Sequence, residues 1–461
     1  MQMMLANMLA MVEPTASADH SITRLDMFHR YIWVLLVAFV VTIFATPIMR
    51  RLAVKHGVID RPSEARKIHK MPIAYLGGVA VFGGIVAGIF YSYLGAAYPE
   101  LLDYQGIRQM EFSAEQEPVP LSVLLGMTII AVVGLIDDVT GIDPRVKVGG
   151  QLIAAAALAM DEVGVKVAAG AVLPIAHAVG IPVTVLPSGL ETIQFTLIPG
   201  LPPVDAVYWL GTAVIGFCVV GACNASNLVD GLDGLLSGTT AIAAAGLLII
   251  ALTLAVQHDG PRDSQRIVLC MAVLGACLGF LPHNFNPATI FLGDCGSLML
   301  GFCTIVIILS LGDTGKTHLV LAGLVIYAIP LIDTSLAIIR RKMAGKRISD
   351  PDSDHLHHIF KRALGVKGAA LALYGIGACF ATLGILMSLW RQRVVYALLA
   401  MLVGYIAVIA IKIARRKQIE EQALAFDAKR AEAAAIQAAA QPAVESQASV
   451  QADPEPAARG S

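Results

Sequence analysis

The sequence predicts an all-α polytopic membrane protein of about eleven transmembrane helices with a small outer β-hairpin. Three observations predict it. Hydrophobic residues make up 57% of the 461 residues and charged ones 15%, whereas soluble domains carry about 25% charged residues. Mean hydropathy is +0.72. Apolar runs recur along the whole chain, most of them near the roughly 20 residues that cross a bilayer as a helix. The formal net charge of −1 says nothing about partners; no nucleic-acid partner is expected. The seven cysteines lie in or beside apolar segments without paired spacing, and they read as small core residues.

In chain order, residues 1–30 form an N-terminal extension. It has no basic region ahead of its apolar run, so it is not read as a signal peptide, and Met27 is an alternative start. Eleven segments qualify as spans: 31–49, 74–95, 121–136, 148–160, 206–223, 235–256, 266–282, 296–311, 318–339, 368–389 and 394–413. The fourth is short and runs into an ambiguous apolar stretch, 163–180. A twelfth span there would flip everything downstream.

Charge decides against it. With the N-terminus outside, the inner loops hold 24 of the 33 Lys and Arg residues, as the positive-inside rule requires. A further span would split them between the two sides. Residues 181–198 alternate apolar and polar around Pro187-Ser188-Gly189, the pattern of an outer hairpin. Residues 414–461 form a cytoplasmic tail, basic and helical at first, then rich in Ala, Gln and Pro and expected to be disordered.

Five polar strings then fall on the cytoplasmic face, each at the mouth of an apolar segment. Such groups are costly at a membrane boundary unless paired, hydrated or bound. Asp137 and Asp138 are adjacent carboxylates at a span end, tolerable near a cation, a metal or water; a hydrated helix cap is the plainer reading. Lys147, nine residues on, can return to that surface and meet a phosphate. Asn224, Asn227 and Asp230 recur every three residues and share one face if the helix continues. With Asp233 they supply hard oxygen ligands suited to Mg²⁺, and Gly231 and Gly234 permit a tight turn. Asn284 to Ser297 reads N-F-N-P-A-T-I-F-L-G-D-C-G-S. In it Asp294 either binds or caps a helix, and Phe291 either stacks on a base or joins the core. His355, His357 and His358 follow an acidic run, with His355 and His358 expected on one helical face. No partner completes a zinc set, and phosphate binding fits better. Lys67 and His69, in D-R-P-S-E-A-R-K-I-H-K, precede a span and serve at least as an inward-facing basic signal. Asp333 reads as structural, capping or pairing with Arg340 or Arg341. Carboxylates, amides and phosphate-seeking cations beside apolar spans point to a reaction joining a soluble diphosphate to a lipid.

In these five strings the chain resembles the polyprenyl-phosphate N-acetylhexosamine-1-phosphate transferases, glycosyltransferase family 4, and among them the undecaprenyl-phosphate GlcNAc-1-phosphate transferases. The match rests on D-x-P-x-x-x-R-K-x-H at Asp60, D-D-x-x-G at Asp137, N-x-x-N-x-x-D-G-x-D-G at Asn224, F-x-G-D-x-G-S at Phe291 and H-L-H-H at His355. It covers roughly residues 31–413, which makes that region the transferase domain, with cytoplasmic active-site loops in a bacterial inner membrane and both the C-terminus and the active site inside. The resemblance implies transfer of sugar-1-phosphate, GlcNAc-1-phosphate by preference, from a UDP-N-acetylhexosamine to undecaprenyl phosphate with release of UMP. That is the initiating step of a cell-surface polysaccharide such as lipopolysaccharide O-antigen.

It further implies Mg²⁺, with Mn²⁺ as a substitute, at Asn227 and Asp294, and catalytic roles for Asp137, Asp138 and Asp294. Lys67, His69, Lys147, Asn224, Asp230, Asp233, Asn284, Phe291 and the three histidines become substrate contacts. A homodimer is compatible with it. Cys295 departs from the family's usual small residue, with little effect expected. The alternatives are transfer of phospho-MurNAc-pentapeptide or of another N-acetylhexosamine. Asp137 and Asp138 are read as positioning groups, with proton abstraction as the alternative and covalent capture by Asp137 less favoured. A transporter would show paired broken helices and mid-membrane charge, and a membrane scaffold gives no reason for polar strings on one side.

Overall fold

The computed structural model describes residues 23–60, 73–98, 118–186, 191–196, 203–257, 259–260, 262–343, 345 and 355–450. The chain is mostly helical. α1 (Arg24–His56) leads through β1 (Ile59–Asp60) and β2 (Ile73–Ala74) to α2 (Gly77–Ala97), α3 (Leu121–Thr140) and α4 (Pro144–Met160). A 3₁₀ turn precedes α5 (Ala169–Val179). The strands β3 (Thr184–Val185), β4 (Glu191–Thr192), β5 (Gln194–Phe195) and β6 (Val204–Asp205) come next. Then follow α6 (Ala206–Val229), α7 (Leu235–Val256), α8 (Asp263–Asn284), α9 (Gly293–Ser310), α10 (Thr317–Ile326), α11 (Ala328–Met343), α12 (Leu356–Ser388) and α13 (Gln392–Val450).

Eight of these helices are long and apolar enough to cross a membrane, and α10 with α11, bent by 81°, makes a ninth span if counted as one. This is a multi-pass membrane protein. Within the ambiguous stretch 163–180 lies the 11-residue α5, with Pro174 inside it. β3 and β4 pair antiparallel, Thr184 opposite Thr192, flanking the expected turn at Pro187-Ser188-Gly189, which lies outside the described residues. α1 begins upstream of Met27: Thr23 accepts from the Asp26 N–H, and Asp26 returns the bond in a capping box.

Two compact units divide the chain. One comprises Met1–Thr334 with Ser353–Leu399, and the other Ser335–Asp352 with Ala400–Ser461. The second contains the end of α11 and most of α13. The first holds the core and every described candidate site residue. Its centre is α9, 94% buried over its apolar window and packed against α2, α3, α6, α7, α8 and α10. A helix apolar on all sides belongs in such a place. Five of the seven cysteines, including Cys295 and Cys303 on α9, are buried in this core.

α9 is approached closely because glycine faces glycine. A Cβ on Gly78 of α2 would lie 2.2 Å from Gly296 N, and one on Gly134 of α3 would lie 2.6 Å from the Asp294 carbonyl oxygen. Small residues at such crossings let membrane helices pack backbone to backbone.

Candidate functional site

The N-terminus of α9 organises the site. The first N–H groups of any helix lack partners within it, and here the cap comes from another helix. Asp138 at the end of α3 accepts from Asp294 N at 2.7 Å and from Cys295 N at 3.0 Å, one oxygen each. Gly293 makes room, with φ +67°; a Cβ there would stand 2.5 Å from an Asp138 carboxylate oxygen. The glycines of the G-D-C-G-S string are therefore packing requirements.

Asp137, one residue earlier, points elsewhere. Its Oδ1 accepts from Ile142 N at 2.8 Å, closing the turn after α3. Asp143 then caps α4 through Arg145 N, and Pro144 takes the first helical position. This turn brings Lys147 back over the end of α3. Lys147 Nζ sits 2.5 Å from both Asp137 Oδ2 and Asp294 Oδ2. Burial opposes charge on Lys147, but its hydrogen bonds to these two carboxylates outweigh that and raise its pKa above the usual lysine value.

Asn227, in the last turn of α6, donates to Asp294 Oδ1 and Ser297 Oγ, both at 2.9 Å. α6 does continue past Cys223, so Asn224 and Asn227 are helical and Asp230 is the C-cap. Asn224 donates to Gln151 Oε1 at 2.9 Å. Burial, then the charges of Asp294, Asp138 and Asp233, drive the Asp230 carboxyl well above the usual carboxylate range. Carboxylates thus crowd the end of α6, and their mutual repulsion favours a held proton or a bound cation there.

Asp233 and Asn284 hold the loops in register. Asp233 accepts from Asn286 Nδ2 at 2.7 Å and Ala288 N at 3.1 Å. Asn284, buried, accepts from Gly234 N and Ser237 Oγ and donates to Ile290 O. Phe291 pairs through its backbone N–H with Ala74 O, and its ring lies 6.1 Å from that of Tyr75.

His355 precedes α12 in extended conformation, so helical spacing does not apply to it. Its ring stacks on His357 at 5.5 Å, while His358 lies nearer His357, at 4.3 Å, than His355, at 6.3 Å. The expected shared face of His355 and His358 is corrected accordingly. Asp333 does cap, as expected, but on a different element. It accepts from Leu356 N at 2.8 Å and pairs with His355 Nδ1 at 3.0 Å. His357 Nε2 abuts the turn after α6: a Cβ on Gly231 would lie 2.5 Å from it. That contact joins the H-L-H-H string to the Asn224 string. Lys67 and His69 lie outside the described residues.

Among the described residues, no three His, Cys, Asp or Glu side chains converge as a closed metal cage. A Mg²⁺ site needs less: one or two carboxylates, with waters and substrate phosphates completing the shell. Asp294, flanked by the Asn227 amide and near Asp230, has the right donor chemistry. The site stays reachable, since the Asp294 side chain is 24% exposed.

Tyr75 and Gln151 were not singled out from sequence. Tyr75 N donates to Val58 O at 3.1 Å, and its ring lies beside that of Phe291. Gln151 is fully buried one turn beyond Lys147. A glutamine inside an apolar span is the signal that marks it.

The glycosyl transferase family 4 model matches residues 120–312, which hold Asp137, Lys147, Asn227 and Asp294. A probable undecaprenyl-phosphate N-acetylglucosaminyl 1-phosphate transferase of Bacillus subtilis is 30% identical over 383 residues, 81% of this chain and 91% of that protein. This chain belongs to glycosyl transferase family 4. Other family 4 relatives include a decaprenyl-phosphate N-acetylglucosaminephosphotransferase of Mycolicibacterium smegmatis, 32% identical over 70% of this chain and 73% of that protein. A phospho-N-acetylmuramoyl-pentapeptide-transferase of Bacillus cytotoxicus is 35% identical over 42% of this chain and 56% of its own length.

Proposed function

We propose that this family 4 protein transfers GlcNAc-1-phosphate from UDP-GlcNAc to undecaprenyl phosphate, releasing UMP, as the first step of a cell-surface polysaccharide. The observation that carries this reading is the meeting of Asp137, Lys147, Asn227 and Asp294 at the ends of four apolar helices. A charged diphosphate can reach them from water and a lipid tail can lie alongside. Relatives named for N-acetylglucosamine transfer match 81% and 70% of the chain, against 42% for the pentapeptide transferase, which favours the simpler sugar.

In the reaction, an oxygen of the lipid phosphate forms a bond to the sugar-bearing phosphorus. The bond from that phosphorus to the UMP oxygen breaks, and UMP leaves with the electron pair. One phosphoanhydride replaces another, so catalysis comes from positioning and charge neutralisation. With a second pKa of about 6, as in phosphoserine, the lipid phosphate is mostly dianionic at neutral pH, and no strong base is needed. Asp137 then positions Lys147 toward the phosphates, and Asp138 holds the α9 terminus that presents Asp294. Asp294 and Asn227 would hold Mg²⁺, or Mn²⁺ in its place, and the ion would supply charge neutralisation at the diphosphate and at departing UMP. His357, against the Gly231 turn, and His358 beside it suit diphosphate contact.

Eleven spans follow if α4 and the apolar start of α13 cross as well as the nine. α4 is 17 residues, about 25 Å, yet it keeps pace with α9 from end to end. Lys147 meets Asp294 at one end, and Gly164 N meets Asp313 at 3.2 Å just past the other. This supports an outside N-terminus, an inside C-terminus and a cytoplasmic site in the bacterial inner membrane.

The test is UMP release by the purified full-length protein with undecaprenyl phosphate, Mg²⁺ and a panel of UDP-sugars. Release requiring lipid, metal and UDP-GlcNAc is expected. Release with UDP-MurNAc-pentapeptide alone would move the protein to the other branch, and silence with every donor from folded protein would overturn the reading.

A further inference from the structure

A carboxylate inside a membrane span is costly unless it is paired, and such groups mark the chemistry beside them. Asp333, in the second turn of α11, is 1% exposed. Its Oδ1 caps α12 through Leu356 N. A cap needs one acceptor, and asparagine or serine supplies it as well. The other oxygen faces two imidazoles. His355 Nδ1 donates to Asp333 Oδ2 at 3.0 Å, and His357 Nδ1 lies 3.8 Å from the same atom. Both rings are buried, and they stack 11° from parallel. His357 Nδ1 makes no hydrogen bond elsewhere.

Two contacts fix this group against the end of α6 that carries Asn227. Between α10 and α11, the buried Tyr327 hydroxyl donates to Ala222 O at 3.2 Å and bonds Ser226 Oγ, next to Asn227. On the other side, His357 Nε2 packs on Gly231, directly after the Asp230 C-cap. His358 lies beside His357 and is the one histidine of the three that is not buried.

We propose that Asp333 is a positioning residue of the transfer reaction. It fixes the tautomer of His355 and the stack of His355 on His357, and through them seats His358 and the Gly231 turn beside Asn227. The proposal rests on the transferase function given above and adds to it a residue that touches no substrate. A carboxylate only accepts, so His355 carries a proton on Nδ1 and leaves Nε2 for other partners. When Nε2 in its turn donates, the ring is an imidazolium, and the carboxylate behind it balances the charge.

Asp333→Asn separates capping from positioning. The amide oxygen can still accept from Leu356 N, which turns the amide NH₂ toward His355 Nδ1. Two donors then meet, and the ring has to move its proton to Nε2 or turn away. Purified full-length Asp333→Asn is expected to melt close to wild type. Its UMP release should fall about tenfold or more, a loss of the size seen when the group behind a metal-bound histidine is removed. In a His355→Asn background the same change should cost far less, because Asp333 acts through that ring. Nitrogen-15 spectra of histidine-labelled protein, with His355→Asn to assign the ring, should show His355 protonated at Nδ1 in the wild type and at Nε2 alone in Asp333→Asn. The spectra need no turnover, so they decide the point even if the wild type releases no UMP with any donor, a result that fails the proposed function. Wild-type UMP release from folded Asp333→Asn, or a wild-type His355 protonated at Nε2 alone, would overturn the proposal. If Asp333→Asn fails to fold, the wild-type spectrum and His355→Asn carry the test, since the latter keeps the Leu356 cap; undiminished turnover in it would equally overturn the proposal.

Discussion

Asp137 and Asp138 are neighbours with different tasks. Successive residues on a helix point about 100° apart, so one carboxylate reaches Lys147 while the other reaches the α9 terminus. Asp137→Asn and Asp294→Asn are therefore expected to lose turnover while the protein inserts and melts normally; wild-type UMP release from either would sink their assignment. Asp138→Ala should instead lower the melting temperature, because two buried N–H groups lose their acceptor, at about 1–3 kcal/mol. Asn284→Ala belongs with Asp138: it removes three hydrogen bonds inside a buried loop junction and should melt early with Mg²⁺ and substrate present or absent. The residue types were legible in the chain, but whether each acts on substrate or on backbone was not. A D-D or an N-x-x-N string has the same letters in either role.

At the scale of elements, close approach between helices governs what substitutions do. Gly293→Ala meets both a left-handed backbone and the Asp138 carboxylate. A non-glycine residue there costs about 1–2 kcal/mol before the clash is counted. Thermal melting and UMP release should fall together in this variant, and normal values for both would show that the terminus can shift without consequence. Hydropathy located most helices to within a few residues, since apolar length and bilayer thickness are matched. It was weaker at their ends. α6 extends six residues past the expected Cys223 and so places Asn224 and Asn227 on a helix. His355 falls just outside a helix it was expected to join. Ends are set by caps supplied from elsewhere, as Asp333 caps α12, and such partners are distant in sequence.

For the whole molecule, the second unit contains most of α13, and the motifs end well before it. A chain ending at residue 413 is expected to keep wild-type turnover in detergent, and a large loss would assign the tail a part in the reaction. Composition, apolar length and charge bias by themselves determined that this is a multi-pass helical membrane protein with its polar strings at span ends. The motif spacings determined the family. These are properties of local chemistry in a fixed solvent geometry, so they survive without coordinates. The tertiary structure alone decided that Lys147 bridges Asp137 and Asp294 and that Asp138 caps α9. It also decided that Asp333 anchors His355. Apart from the ten-residue step between Asp137 and Lys147, each of these joins residues 20 to 160 positions apart, and a pairing of that kind is set by how helices cross rather than by any periodicity along one of them.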